Sequence, residues 1–471
     1  TGAGVQLLNA SSGTFTFQDT FTMTNIGGTD FDVNGGAGHL FTGTVTYASA
    51  INNNNGRSVS LQGVSDGSIT FSGNITDTAQ GILVNNNSGG LMLFAAALDM
   101  DPTTNAAVTV TNNTGAEIDF PGKVDITTTS GDGFVATGGG TLTMSAANNS
   151  ISTTTGQILK ITDMTVSTSN VKVADVNRSA GAATNAIQLE NNTGTGSIDI
   201  GTVTDTAGQA GTIVGGTADA ILIRNSANVS VNGVTVNNAA GVAGVTVDKT
   251  NTNAMTVSLG NLQLNDGSHG LNVTGGGTTG NLNMTVDKVA INRSTTAGMF
   301  FNDVDAGTIT VTGATIDGNN ASGTAKGVSI NNSNATFSFD AATKIQKWSS
   351  DDFEVNGGTG NITFAGDIDN TDTGGNSIHI RNVTGGTIAF TADNTVDDTN
   401  LGILVSGNTG GTYNFNGDYN LTTTTHDAVT IDTNTGATIN IGNLDIETTS
   451  GQGFVAKNGG GPILSRTLSG D

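Results

Sequence analysis

The chain has no cysteine, 3 prolines and one tryptophan in 471 residues. Without cysteine there are no disulfide staples and no thiolate metal sites. With so little proline the turns must be made by other residues, and 69 glycines together with many asparagines are there to make them. Basic residues are also scarce: 15 Lys and Arg stand against 39 Asp and Glu, so the formal charge of −24 reflects missing cations rather than acidic blocks. A surface so poor in bases cannot neutralise phosphates, which argues against nucleic acid as a partner. No apolar run approaches ~20 residues, so no transmembrane segment is expected. Hydrophobic residues at 35% are too many for a disordered chain and too few for a deep globular core. That balance suits a fold in which each short segment buries only two or three side chains.

What is present is a short repeat. A phrase of small or polar residue, apolar, any, apolar starts at Gly4, Asp30, Ser58, Gly81 and Ala107 and recurs through Asp352, Ser377, Gly402, Ala428 and Gly453. It makes about 18 units of roughly 26 residues. Inside a unit the period is two. After Ala107 the pairs Val108/Val110, Ile118/Phe120 and Val124/Ile126 alternate with polar residues, and "TNNTGAE" and "PG" turn between them. "NNNSGG" from Asn85 and "NNTG" from Asn112 and Asn191 follow the first strand, where Asn and Gly tolerate left-handed backbone angles. "MLFAAALDM" from Met92 has helical flavour but sits at strand positions and is read as strand.

One such coil cannot stand alone. It buries about six apolar side chains worth ~2 kcal/mol each, whereas ordering its backbone costs ~1–2 kcal/mol per residue. The deficit closes only if each strand pairs with the same strand in the coils above and below. The predicted fold is therefore all-β: a right-handed parallel β-helix, or solenoid, with three short parallel sheets. It is expected to run as one continuous element over 1–471. At ~4.8 Å per coil, 18 coils would advance about 85 Å.

A second, longer repeat overlies the first. "DFDVNGGAG" at Asp30 answers to "DFEVNGGTG" at Asp352, "GILVNNNSGG" at Gly81 to "GILVSGNTGG" at Gly402, and "GFVATGGG" at Gly133 to "GFVAKNGGG" at Gly453. Residues 1–150 thus resemble 324–471 at an offset of about 320, a super-unit of roughly twelve coils. Beginning and ending mid-phrase, the chain is expected to be a segment of a longer array.

The phrases "VDITTTSGDGFVATGGGTLTM", "NNTGTGSIDIG" and "LGILVSGNTGGTYNFNGDYNL" resemble the β-strand-repeat exoproteins of environmental bacteria, of the pectate-lyase-like parallel β-helix class. Some of that group are similar to autotransporter passengers. The resemblance covers residues 1–465. It implies an extracellular or cell-surface protein, an adhesin or fibre, and brings no matched catalytic motif.

Parallel β-helices also include polysaccharide lyases and hydrolases. Of a polygalacturonase-like set, Asn370-Thr371-Asp372, Asp351-Asp352 and Ser268-His269-Gly270 echo three parts, but in the wrong order for neighbouring coils. Paired carboxylates must flank one bond at a fixed separation, and this order does not supply that. A basic cluster is not expected, although stacking could align Arg381 with a residue one coil away. Oxygen-rich clusters suit calcium; the candidates are Asp367, Asp369 and Asp372 with Asp393, Asp397 and Asp398, set against the plainer reading of solvated turn residues. His379, between Ile378 and Ile380, should point outward. Trp348 and Phe300 are candidate surface contacts, Trp348 also reading as cover for a coil edge. The expected function is non-enzymatic: a structural or adhesive rod segment, with no required cofactor, that self-associates end to end or laterally or contacts cell-surface glycans. The alternative is a carbohydrate-binding or carbohydrate-active β-helix, betrayed by a sheet lined with carboxylates, Arg and aromatics.

Overall fold

A computed structural model describes the chain apart from residues 1, 10, 19, 37, 239–240, 277–279, 320–323, 371–373, 392–393, 460–462 and 466–471, and apart from the side chains of 463–465. Asp372 and Asp393 lie outside the described residues. The chain is a right-handed parallel β-solenoid of about 17 turns of ~26 residues, without helix among the described residues. It divides into two compact units, Thr1–Val234 and Thr235–Asp471. The two copies of the longer repeat therefore fall in different units.

In unit 1 the first face runs from Val5–Leu8 and Thr29–Asn34 to Ile187–Glu190 and Ile221–Arg224, every strand parallel to the next. Its inward column reads Phe31, Val59, Ile82, Val108, Phe134, Leu159, Ile187, Ile221, all fully buried. Strict alternation produces this, because successive side chains on a strand leave on opposite faces. The "MLFAAALDM" stretch forms two strands, Leu91–Phe94 and Leu98–Met100, on the second and third faces. Unit 2 repeats the plan from Val245–Asp248 to Phe454–Lys457. There the second and third faces join, because Thr412–Thr423 and Thr438–Thr448 each run through the corner between them as one strand, with a register shift between Phe415 and Asp418.

Two kinds of ladder tie coil to coil. Phe71, Phe94 and Phe120 stack with centroids 5.2 and 4.9 Å apart, and in unit 2 Phe390 stacks on Phe415 at 5.3 Å. The turn after the first face holds Asn86, Asn112, Asn191, Asn332 and Asn382 at φ of 45–56°, as the Asn-rich phrases foretold. The residue after each turns inward instead. Asn87 Nδ2 donates to Asn113 Oδ1 at 2.7 Å and to the Leu61 carbonyl, while its Oδ1 accepts from the Val64 N–H. Asn408 and Asn434 repeat this with the Ile380 carbonyl and the Val383 N–H. A buried amide in this place satisfies backbone groups that a bend leaves without a ladder partner.

Trp348 corrects an expectation. It is fully buried, and its Nε1–H donates to the Ile316 carbonyl at 3.0 Å. Glycine makes the room: a Cβ at Gly298 or Gly327 would come within 2.9 or 3.1 Å of the indole. No sugar ring or neighbouring chain can reach it, so only its reading as interior cover survives. Phe300 does stand outward and half-buried on the first face, its ring 5.2 Å from that of His269.

Candidate functional site

The densest outward chemistry lies on the first face of unit 2, where three successive strands, Lys326–Asn331, Phe353–Asn356 and Ile378–Arg381, stack in register. Ser329, Glu354 and His379 form one outward column; Asn331, Asn356 and Arg381 form the next. Glu354 is at the centre, its side chain only 1% exposed. Its Oε2 accepts from Lys326 Nζ at 2.5 Å and Ser329 Oγ at 2.9 Å; its Oε1 accepts from Arg381 Nη2 at 2.7 Å and Nε at 3.1 Å. Burial raises the Glu354 carboxyl, but the hydrogen bonds and charges of Lys326, Ser329 and Arg381 outweigh it and hold the group below the ordinary glutamate range.

Beside it Asp351 Oδ2 pairs with His379 Nδ1 at 2.9 Å, and its Oδ1 accepts from the backbone and side-chain N–H of Asn376 at 3.1 and 2.8 Å. Burial again raises the carboxyl, and His379 and Asn376 together bring it below its usual value. Asp351, Glu354 and His379 each place one metal-capable atom within 4.8 Å of the others. The surroundings do not fit a cation. All four carboxylate oxygens already accept hydrogen bonds, and Lys326 and Arg381 supply positive charge on two sides.

Asp352, the next residue, points into the wall. It is fully buried, and no donor completes a hydrogen bond on either carboxylate oxygen by distance and angle, although the Trp348 backbone N–H acts on it weakly. Burial, then the charge of Asp398, pushes it well above the aspartate range. Asp398 is buried too, gripped by Ser377 Oγ and by the N–H groups of Asn400 and Gly402 at 2.5 and 2.9 Å. The Asp351-Asp352 doublet, which precedes the strand Phe353–Asn356, is thus split, one carboxyl paired with His379 on the outer side and one inside, and offers no pair facing a common bond.

Of the calcium candidates, Asp369 and Asp397 stand outward on neighbouring strands, Asp367 accepts from Thr395 Oγ1, and Asp398 faces inward. Asp397 accepts from Asn420 at 3.1 Å. Among the described residues this set contributes no cluster of three metal-capable side chains. An open groove of about 390 Å³ lies elsewhere, in unit 1, between Lys172, Asp199, Ser230, Asn232 and the exposed Val203; Asp199 is tied to the wall by Ser197 and Asn170.

Sequence reasoning placed His379 outward and allowed that stacking could align Arg381 with a residue one coil away, but it did not name their partners. Lys326 lies 28 residues before Glu354, Arg381 27 after it, and His379 28 after Asp351. Those separations are one coil plus or minus a variable loop, and only the register settles them. No family model, curated protein or solved structure matches the chain.

Proposed function

We propose that this chain is a non-enzymatic structural or adhesive segment of a large extracellular bacterial surface protein, a fibre built from coils. What supports the reading is that the interior recurs between the two copies while the charged surface does not. Asp30, Asn87 and Asn113 return as Asp352, Asn408 and Asn434, in the same buried positions. Outside, Glu354, His379 and Arg381 answer to Asp32, Ser60 and Gln62, the pairs His379/Ser60 and Arg381/Gln62 keeping no charge in common. A chain that repeats its wall and varies its surface is spending its length on extension and contact. Self-association belongs to the same reading, since the strand edges of a coil stack must be covered or paired. No helix among the described residues is long and apolar enough to cross a membrane. Light scattering and electron microscopy over a concentration series should show ordered end-to-end or lateral association; single particles at every concentration would remove the fibre from the proposal.

A second reading, glycan binding, is favoured by the unit 2 cluster, which puts carboxylates, Arg381, Lys326 and the half-buried Phe300 on one face. On a glycan array the intact chain should then retain acidic saccharides, and Arg381→Gln should weaken retention several-fold. Equal retention by the variant would dismiss this face as the contact.

A further inference from the structure

The residue just before the first inward apolar position of each coil lies in a tight corner. In unit 1 that column reads Gly4, Asp30, Ser58, Gly81, Ala107, Gly133, Gln157, Ala186, Ala220. A Cβ at Gly133 would already meet the Ile158 carbonyl oxygen at 2.5 Å, so small residues are the rule here. Asp30 and Gln157 break it, and Asp30, like Ser58 on the next coil, is fully buried.

The neighbouring third-face strand ends at Asp77, also fully buried. Four donors hold it: Ser58 Oγ at 2.5 Å and Ser58 N–H at 3.0 Å on one oxygen, the N–H groups of Ala79 and Gln80 at 2.6 and 3.0 Å on the other. Both of its oxygens are thus satisfied by donors. Asp30 is its opposite. No donor completes a hydrogen bond on either of its oxygens by distance and angle, although the Ile26 N–H and the Asn53 side-chain amide act on it weakly; Asn53 Oδ1 is turned away, accepting from the N–H groups of Asn55 and Gly56. A similar asymmetry recurs in unit 2, where Ser377 grips Asp398 while no donor completes a hydrogen bond on Asp352.

We propose that Asp30 is a proton-binding site: its carboxyl is taken up as the neutral acid in mildly acidic medium, and this stack of coils becomes more stable as the pH falls. The groups facing it are few. Asp77 lies across the corner, Arg57 at the start of the next strand offsets Asp77, Tyr47 below keeps its hydroxyl proton on the Phe21 carbonyl, and Asp32 on the same strand points outward to Gln6. Burial, with a smaller push from Asp77 and against a pull from Ile26 and Asn53, sets the Asp30 carboxyl at about 6. The sign follows: a carboxyl raised from 3.8 to about 6 on folding contributes stability that is fully present below 3.8 and is lost as the pH rises through about 6. Most acidic proteins behave the other way, because their carboxylates are stabilised in the folded state.

The test uses the intact chain, Asp30→Asn, Asp30→Ala and the surface control Asp32→Asn. Denaturant unfolding is followed at about pH 7.5 and about pH 4.5. Between these the folding equilibrium constant of the parent should gain about thirtyfold relative to both Asp30 variants, because the lower pH lies about 1.5 units below the folded value of about 6, while Asp32→Asn tracks the parent. Alanine already occupies this corner at Ala107, Ala186 and Ala220, so Asp30→Ala keeps the test alive if the amide does not fit. Unchanged pH dependence in both Asp30 variants overturns the proposal. So does calcium chloride that raises the parent's midpoint at neutral pH and not the variants', because a cation would then hold the carboxylate.

Discussion

Corresponding coils of the two units use carboxylates in different ways. In unit 1 the strand Thr29–Asn34 carries Asp30 inward and Asp32 outward, and among the described residues Asp32 meets only Gln6, at 3.0 Å. In unit 2 the strand Phe353–Asn356 follows an equally buried Asp352, but its outward acid, Glu354, is enclosed by Lys326, Ser329 and Arg381. The inner carboxyl is part of a pattern that the longer repeat carries along. The outer one is a local elaboration. Comparing them separates what the coil needs from what one surface has acquired.

The sharpest way to break this comparison is at the corner beside the acids. Ile26 in unit 1 stands where Trp348 stands in unit 2: a Cβ on Gly4 would lie 3.1 Å from Ile26 Cδ1, and one on Gly327 3.1 Å from Trp348 Cδ1. Trp348 is fully buried whereas Ile26 is half-buried. Trp348→Ala should cost about 3–5 kcal/mol by opening a cavity and losing the indole hydrogen bond, and Ile26→Ala less than about 2 kcal/mol. Denaturant midpoints check both, and equal losses would contradict the asymmetry. Next come the amide ladders. Asn87→Ala and Asn408→Ala each strand a buried backbone N–H, that of Val64 or Val383, so each should lose about 1–3 kcal/mol. A large difference between them would show that the copies are not equivalent inside.

Smaller effects belong to the surface. Glu354→Gln leaves Lys326 and Arg381 without their shared anion; with these cations 24% and 37% exposed, the loss should be about 1–2 kcal/mol. Asp32→Asn should cost less than about 0.5 kcal/mol. The pH responses should also oppose each other. Asp351 and Glu354 sit below their ordinary values in the fold, so their contribution is present at neutral pH and is lost as the pH falls through the carboxylate range. Amide exchange in Phe353–Asn356 should therefore become faster on strong acidification, once corrected for intrinsic rates, and Glu354→Gln should blunt that change.

The coils were legible in the chain because period-two alternation and Asn-Gly turns are local signals. Val108, Val110, Ile118, Phe120, Val124 and Ile126 alternate as read, and all six are buried. The left-handed Asn112 was legible for the same reason. The surface cluster was not, because His379 meets Asp351, and Arg381 meets Glu354, across loops whose length varies from coil to coil. Trp348 shows another limit: a lone aromatic between polar neighbours, "QKWSS", gives no sign that Gly298 and Gly327 on other coils have cleared space for it. The buried acids left a readable trace that composition hid. Asp30 and Asp352 occupy a column that is otherwise nearly all glycine, alanine and serine, and in a chain rich in scattered aspartate that break in the pattern is easily passed over.

The central claim is that this chain acts through its wall and surface rather than by turning over a substrate. The most direct measurement is a reducing-end and unsaturated-product assay on a panel of acidic and neutral polysaccharides, with the parent and Glu354→Gln in parallel. The account predicts no product from either. Product from the parent that Glu354→Gln abolishes would contradict it and assign the unit 2 cluster to catalysis.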